Sequence, residues 1–483
     1  MQHMRSGRAS RLVRMTACLA VLFSLFPLAY ASAATRPNIV FLVTDDQRTD
    51  EMSIMKNVMV LLVNQGTSFT KSFVAYSLCC PARATFLTGQ YPHNHHVLDI
   101  PPSGGYIKLD HTNTLPVWLQ QAGYYTVHIG KYLNGYGQQV PPTTIPPGWT
   151  EWYAAIDPYT YKYYNYKLNE NGTMVSYGSR EQDYQTDVYA RKAVDFIQRR
   201  AASSTPFFLS VSVLAPHDNK DRTPPTPAPR HKGRFATVPL AKLPSFNEAD
   251  VSDKPAIIQA MPRLDTTAMA KITTANRQRL ESLLAVDEAV KAIFDALEAT
   301  NELANTVIIF VSDNGFLNGE HRVNRTKMHP YEESVRVPLI IRHPQFLGRK
   351  AVAKMVSHVD LAPTIVDLAQ ATPERVMDGR SLLPLVQNPS AAWRNLVLLE
   401  AHHVETGNMI KYMAVRSPNY VYVEHDTGER ELYNISDAAS SCAAADPYQL
   451  VSQHLNACYA AKRSDLQGQL KILRTCAGDT CWR

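Results

Sequence analysis

The run Asn-Ile-Val-Phe-Leu-Val from Asn38 to Val43 is apolar and rich in β-branched residues, and it is bounded by Pro37 and by Thr44-Asp45-Asp46. A strand with one wet face alternates apolar and polar residues. This one does not alternate, so it fits a buried parallel strand in a sheet covered on both faces. Similar runs recur at Pro206 to Leu214 and at Thr306 to Val311. Helical patterns lie between them, the clearest at Asn276 to Thr300, where Leu280, Leu283, Leu284, Val290, Ile293, Phe294 and Leu297 form one stripe. Buried strands alternating with helices predict an α/β domain.

Each of the three runs ends in polar residues: Asp45-Asp46, His217 and Asp313-Asn314. Sites in open α/β sheets gather outside the carboxyl ends of the strands. Adjacent aspartates within a strand point to opposite faces, but where the chain turns both can face one cation. With Asp313 and Asn314 they make four oxygen ligands from two strand ends. That set suits Ca²⁺ or Mg²⁺ over Zn²⁺, which prefers nitrogen and sulfur.

A second landmark is Cys79-Cys80-Pro81-Ala82-Arg83, followed by Thr88-Gly89. Pro81 suits the first turn of a helix, which places Cys79 at a helix N-terminus among free backbone N–H groups. Arg83, one turn on, can reach back toward the same atom. The stretch from Cys79 to Val97 resembles the signature of the type I sulfatases. The resemblance implies an alkaline-phosphatase-like fold, with a large, mixed, mostly parallel sheet sandwiched by helices and a smaller C-terminal α+β domain carrying an antiparallel sheet. It implies that Cys79 is oxidised to formylglycine (3-oxoalanine) by a formylglycine-generating enzyme, and that the hydrated aldehyde is the nucleophile. Asp45, Asp46, Asp313 and Asn314 would hold one Ca²⁺, or Mg²⁺, together with residue 79.

Three cationic positions match family motifs in the same way. Gly130-Lys131-Tyr132 resembles the Gly-Lys motif whose lysine contacts nucleophile and substrate. Ala215-Pro216-His217 resembles the segment whose histidine contacts the sulfate, and Lys327 matches the lysine that protonates the leaving alcohol. Arg83 completes the expected catalytic set. Asn134 and His321 join Lys131, His217 and Lys327 as expected substrate-binding residues. One departure stands out: many arylsulfatases carry a histidine two residues after the motif lysine, where this chain has Leu133 and then Asn134. The base then comes from elsewhere, with His321 or one of His93, His95 and His96 as candidates.

The segments Tyr91 to Val97, Gly130 to Asn134 and Leu473 to Cys481 resemble the N-acetylglucosamine-6-sulfatase branch and its arylsulfatase relatives. They imply a 6-O-sulfated amino sugar or an aryl sulfate as substrate. A phosphonate or phosphodiester hydrolase of the same superfamily is the nearest alternative. A non-catalytic exported carbohydrate-binding protein is a second, and it would require a decayed motif.

Residues 1–33 read as a signal peptide: Arg5, Arg8, Arg11 and Arg14, a mostly apolar run from Ala17 to Tyr30, and a small-x-small site at Ala31-Ser32-Ala33. Export to the periplasm or outside the cell follows, or to a lysosome in an animal, with no membrane partner after cleavage. The net charge of +6 falls to +2 once the leader's four arginines are subtracted. A nearly neutral chain is not a nucleic-acid binder by charge. Six cysteines remain beyond the leader. Four lie at the C-terminal end, where Cys442–Cys458 and Cys476–Cys481 close the shortest loops and are the expected disulfides in an exported protein. Pro224, Pro225, Pro227 and Pro229 mark residues 218–264 as a long surface excursion around the site's rim. The catalytic domain is expected over 34–388 and the C-terminal domain, with its disulfides, over 389–483. Strand-like runs at Asn395 to Glu400, Tyr412 to Arg416 and Tyr420 to Glu424 supply the latter's sheet.

Overall fold

The computed structural model describes residues 36–201, 203–405, 408–436, 442 and 444–482. The leader at 1–33 lies outside the described residues. Among the described residues sixteen strands are formed, in chain order β1 (Asn38–Thr44), β2 (Thr67–Phe69), β3 (Ser72–Phe73), β4 (Tyr125–Gly130), β5 (Glu151–Ala155), β6 (Lys167–Glu170), β7 (Thr173–Ser176) and β8 (Phe207–Ser212). They continue with β9 (Thr306–Ser312), β10 (Leu339–Arg342), β11 (Lys350–Val352), β12 (Val356–Ser357), β13 (Val397–Glu405), β14 (Asn408–Arg416), β15 (Tyr420–His425) and β16 (Arg430–Asn434). Ten of them form one sheet in the order β11-β2-β10-β9-β1-β8-β4-β5-β6-β7, and β3 pairs with β12. The central strands β9, β1, β8 and β4 are mutually parallel, as β4 is with β5. Antiparallel pairings lie outside this block, at β9–β10, β10–β2, β5–β6 and β6–β7.

The apolar run at Asn38 is this sheet's central strand. Ile39, Phe41 and Val43 pack into one core with Phe86, Trp118 and Ile365. Val40 and Leu42 face the other way, against Phe196 and Val286 of the helices Gln185–Arg200 and Thr266–Ala299. A strand buried on both faces has no place for a polar side chain along its length, so its chemistry is displaced to its end. Each of those five side chains contributes roughly 1.5–3 kcal/mol by leaving water.

The long helix begins at Thr266, ten residues before the expected start at Asn276. Its added turns carry few buried residues and are held by Asp265, whose side chain accepts from the Ala268 N–H at 2.7 Å. Between residues 218 and 264 the regular structure consists of two short pieces, Pro229–His231 and Ala256–Gln259.

The strands β13-β14-β15-β16 form a separate antiparallel sheet. The first three lengthen the expected runs, and β16 is a fourth strand. The expected boundary at 388/389 falls just after the helix Leu383–Gln387 and before β13. Cys442 pairs with Cys458 and Cys476 with Cys481, while Cys79 and Cys80 are free and buried. Among the described residues no helix is long and apolar enough to cross a membrane.

Candidate active site

Four neighbouring parallel strands end at one place. β1 runs into Asp45 and Asp46, β9 into Asp313 and Asn314, β4 into Lys131, and β8 ends at Ser212 before a short loop to His217. The turn after β1 is tight. Asp46 adopts φ 66°, a left-handed conformation that costs a non-glycine residue roughly 1–2 kcal/mol. That bend lets the Asp46 N–H donate to Asp313 Oδ1 at 3.2 Å and brings both consecutive carboxylates to one side.

The helix Cys79–Thr88 supplies the sulfur. Leu78 caps it in an extended conformation (φ −149°, ψ 135°), and Pro81 sits in the first turn, where its missing N–H leaves no bond unmade. Cys79 Sγ lies 3.4 Å from Asp45 Oδ1. Arg83, a turn later, donates from Nε to Asp313 Oδ2 at 2.8 Å and from Nη2 to Asp45 Oδ2 at 3.4 Å. Its Nη1 reaches Ser212 Oγ at 2.5 Å and the Lys131 carbonyl at 2.9 Å. The expected reach toward Cys79 thus ends on the carboxylates beside it, which Arg83 braces in place.

Two lysines close the cluster. Lys131 ion-pairs with Asp45, and its Nζ lies 4.6 Å from the centre of the Tyr161 ring. Lys327 ion-pairs with Asp46, and its Nζ is 2.8 Å from Cys79 Sγ and 3.3 Å from Asn314 Oδ1. His217 Nδ1 donates to the Asp218 carbonyl at 2.7 Å, which turns Nε2 toward Asp46 Oδ2 at 3.6 Å.

Asp45, Asp313 and Asn314 have no accessible surface and Asp46 almost none. Burial alone would push every one of these acids toward the neutral form. At Asp45 that push is outweighed by Lys131, His217, Arg83 and Lys327, which hold the carboxyl below the usual range. At Asp46 it is outweighed chiefly by Lys327. Asp313 goes the other way, because burial and the neighbouring Asp45 charge exceed what Arg83 returns. The Cys79 thiol is pushed up to about 12 by burial and by Asp45, so an unmodified Cys79 is a protonated, weakly reactive thiol.

Asp45, Asp46, Cys79 and His217 each offer a ligand atom, all within 4.8 Å of one another. Asp313 and Asn314 adjoin this group through Asp46. Buried carboxylate and amide oxygens are the donor set of a hard divalent cation, and the residues fit one. The cluster opens into a cavity of about 540 Å³ whose walls include Cys79, Asn134, Tyr161, His217, Lys327 and His403.

The other histidines expected at the site lie elsewhere. His321 is fully buried, with Nδ1 2.6 Å from Glu248 and its ring 3.9 Å from that of Tyr331, and it does not line the cavity. His93 bonds to Glu400 and to the Cys476 carbonyl, and His95 bonds to Thr85. His96 is exposed in a left-handed turn. None of His321, His93, His95 and His96 faces the cluster.

Sequence reasoning passed over several contributors. Ser212 is placed by being the last residue of a strand already identified, and Tyr161 carries no local signal. Arg279 is a buried charge inside an apolar helix stripe, which is itself a signal. It pairs with Glu51 at 2.8 Å and donates to the Asp46 carbonyl at 2.6 Å, fixing the turn that aims the acids. Arg48 pairs with Glu320 at 2.8 Å on the next loop.

The sheet order, the acids at its carboxyl edge and the helix-borne Cys79 define an alkaline-phosphatase-like hydrolase. The Sulfatase family matches residues 37–371, and the family described as N-sulphoglucosamine sulphohydrolase, C-terminal, matches residues 319–474, so the chain belongs to the sulfatase family and is a sulfuric ester hydrolase. It is 33% identical over 500 residues to N-acetylglucosamine-6-sulfatase of Capra hircus, covering 93% of this chain and 86% of the relative. The Homo sapiens N-acetylglucosamine-6-sulfatase is 36% identical over 385 residues, covering 77% of this chain and 68% of the relative. A solved structure described as a complex with its substrate D-glucosamine-2-N,6-O-disulfate superposes with a TM-score of 0.75 at 25% identity, covering 90% of this chain and 97% of the other.

Proposed function

We propose that the protein removes the 6-O-sulfate from an N-acetylglucosamine-type sugar, using formylglycine at position 79 and one divalent cation, with Ca²⁺ as the first choice. The observation that carries this reading is the convergence of Cys79, Asp46 and Lys327 on one cavity, with Asp45 buried 3.4 Å from Cys79 Sγ. About 540 Å³ falls within the range of small-molecule sites and has room for a sugar. The names of the relatives and the neighbour's sulfated glucosamine support the substrate class.

Asp45, Asp46, Asp313 and Asn314, with residue 79, would hold the cation, which when bound would polarise a sulfate oxygen as a Lewis acid. Oxidation of Cys79 would supply the nucleophilic oxygen that the buried thiol lacks. The chain's own residues prepare the charge. Three carboxylates stand against Arg83, Lys131 and Lys327, so adding a divalent ion gives a net positive site suited to a sulfate ester. Arg83 keeps two acids fixed, Lys131 and His217 face the sulfate, and Lys327 holds a proton at Nζ for the departing alcohol. Asn134 orients the sugar from the cavity wall. Residues 34–388 act as the catalytic domain and 389–483 as a C-terminal domain. The leader-like start and two disulfides support export, with Cys79 converted by a formylglycine-generating enzyme on the way.

The test is release of inorganic sulfate from N-acetylglucosamine-6-sulfate by protein co-expressed with a formylglycine-generating enzyme. Sulfate release at enzymatic rates is expected. Turnover of phenyl phosphonate esters with no sulfate release would transfer the assignment to the phosphonate hydrolases.

A further inference from the structure

One histidine reaches the cavity from outside the ten-stranded sheet. His403 belongs to β13 of the four-stranded sheet, is 9% exposed, and lines the same cavity as Cys79 and Lys327. Its neighbours on that face of the sheet, Leu399, Ala401 and Ile410, are core residues. A polar ring at the end of an apolar face carries a desolvation cost that packing does not explain.

The ring is anchored. Nδ1 is 2.5 Å from Asp99 Oδ1, and Asp99 is itself held by the Ile100 N–H at 2.7 Å and by Ser103 Oγ at 3.0 Å. A carboxylate accepts, so Nδ1 donates and Nε2 is the remaining polar atom. It has no partner among the described residues. Asn134 lines the same cavity, and its Oδ1 is buried without a partner. Its Nδ2 is held by the Tyr161 hydroxyl at 2.6 Å, so the orientation of the oxygen is fixed too. Two immobilised polar atoms without partners complement hydroxyl groups, and an aryl ring offers none.

Resting on the sugar-6-sulfatase reading, the geometry points to His403 as a specificity-determining residue that hydrogen-bonds a ring hydroxyl of the sugar, with Asp99 as its positioning residue. The C-terminal sheet thereby selects a sugar over an aryl sulfate, while the chemistry stays with the ten-stranded sheet. A site built to bond a hydroxyl discriminates strongly against a ligand lacking it, because its own polar atoms are then left unpaired.

The experiment compares kcat/KM on N-acetylglucosamine-6-sulfate and on p-nitrophenyl sulfate for the converted wild type, His403→Ala, His403→Gln and Asp99→Asn. His403→Ala is expected to lose at least about tenfold on the sugar and to stay within roughly twofold on the aryl ester. His403→Gln recovers part of the sugar activity, and Asp99→Asn shows a smaller loss of the same selectivity. Aryl turnover doubles as the folding control, and should His403→Ala misfold, His403→Gln decides. Equal losses on both substrates, or no loss on the sugar, overturn the assignment. A wild type that hydrolyses the aryl ester and leaves the sugar untouched instead overturns the substrate reading on which it rests.

Discussion

Lys327 Nζ lies 2.8 Å from Cys79 Sγ while ion-paired with Asp46. One ammonium group thus touches both the position proposed for the nucleophile and the rim of the acid cluster. Burial disfavours its charge, but Asp46, Cys79, Asp45 and Asp313 outweigh burial and raise its pKa, so it stays protonated. A lysine that keeps its proton through neutral pH fits the role proposed for Lys327, protonating a poor leaving group.

Lys327→Ala is accordingly expected to lower kcat on N-acetylglucosamine-6-sulfate by about 10²–10⁴-fold. The loss on p-nitrophenyl sulfate is smaller, because p-nitrophenolate departs without a proton. Equal losses on the two esters would mean that Lys327 acts on the nucleophile or the cation and not on the leaving oxygen.

Chelation tests the acid cluster through stability as well as activity. Removing the proposed cation from the three buried carboxylates takes away an attraction that offsets their mutual repulsion, so treatment with a chelator is expected to lower Tm and abolish turnover together. Ca²⁺ at 100 times its Kd returns about 2.7 kcal/mol. Asp313→Asn, which removes one of the repelling charges, is expected to shrink this cation-dependent shift in Tm. Thermal melting with and without added Ca²⁺ reads both effects.

Gly130 stands immediately before Lys131, with φ 104°, and a Cβ there would meet the Ser212 carbonyl at 2.0 Å. Backbone cannot step aside as a flexible side chain can. Gly130→Ala is expected to cost about 2–4 kcal/mol and to displace Lys131 from Asp45. Denaturant midpoints and kcat should fall together, and a variant with native stability would contradict the contact.

His93 links the segment after the Cys79 helix to β13 and the C-terminal tail. Its Nδ1 is 2.7 Å from Glu400 Oε1 and its Nε2 is 2.9 Å from the Cys476 carbonyl, so both ring nitrogens face acceptors and only the charged ring satisfies both. Burial opposes that charge, but the bond to Glu400 outweighs it and raises the pKa above 6.5. Glu400 is also raised, because its own burial exceeds what His93 returns. A raised histidine pKa gives stability that is fully present below 6.5 and lost as pH rises through the folded value. His93→Gln should therefore destabilise more near about pH 6 than near about pH 9. Melting curves at the two pH values check the sign.

The centre of the fold is legible in the sequence because strands buried on both faces leave an unmistakable apolar run, and because their chemistry collects at their ends. That is why Asp45, Asp46, His217, Asp313 and Asn314 can be placed together from sequence. The start of the long helix is not legible. Residues 266–275 include few that face the core, so the apolar stripe begins where core contact begins and not where hydrogen bonding does. Partners far apart in the chain are equally hidden: Arg279 with Glu51, Arg48 with Glu320 and His403 with Asp99 each show only a lone polar residue in a local window. His321 misleads for a related reason. It sits close in sequence to Lys327, but its ring turns to Glu248 and Tyr331.

The central claim is that residue 79 works as an aldehyde among acids that hold a cation. Mass spectrometry of the peptide spanning Cys79, from protein co-expressed with a formylglycine-generating enzyme, tests it most directly when paired with a sulfate-release assay on the same preparation. The expected result is a peptide lighter by the difference between a thiol and an aldehyde, with activity proportional to the converted fraction. An unmodified thiol in fully active protein would contradict it.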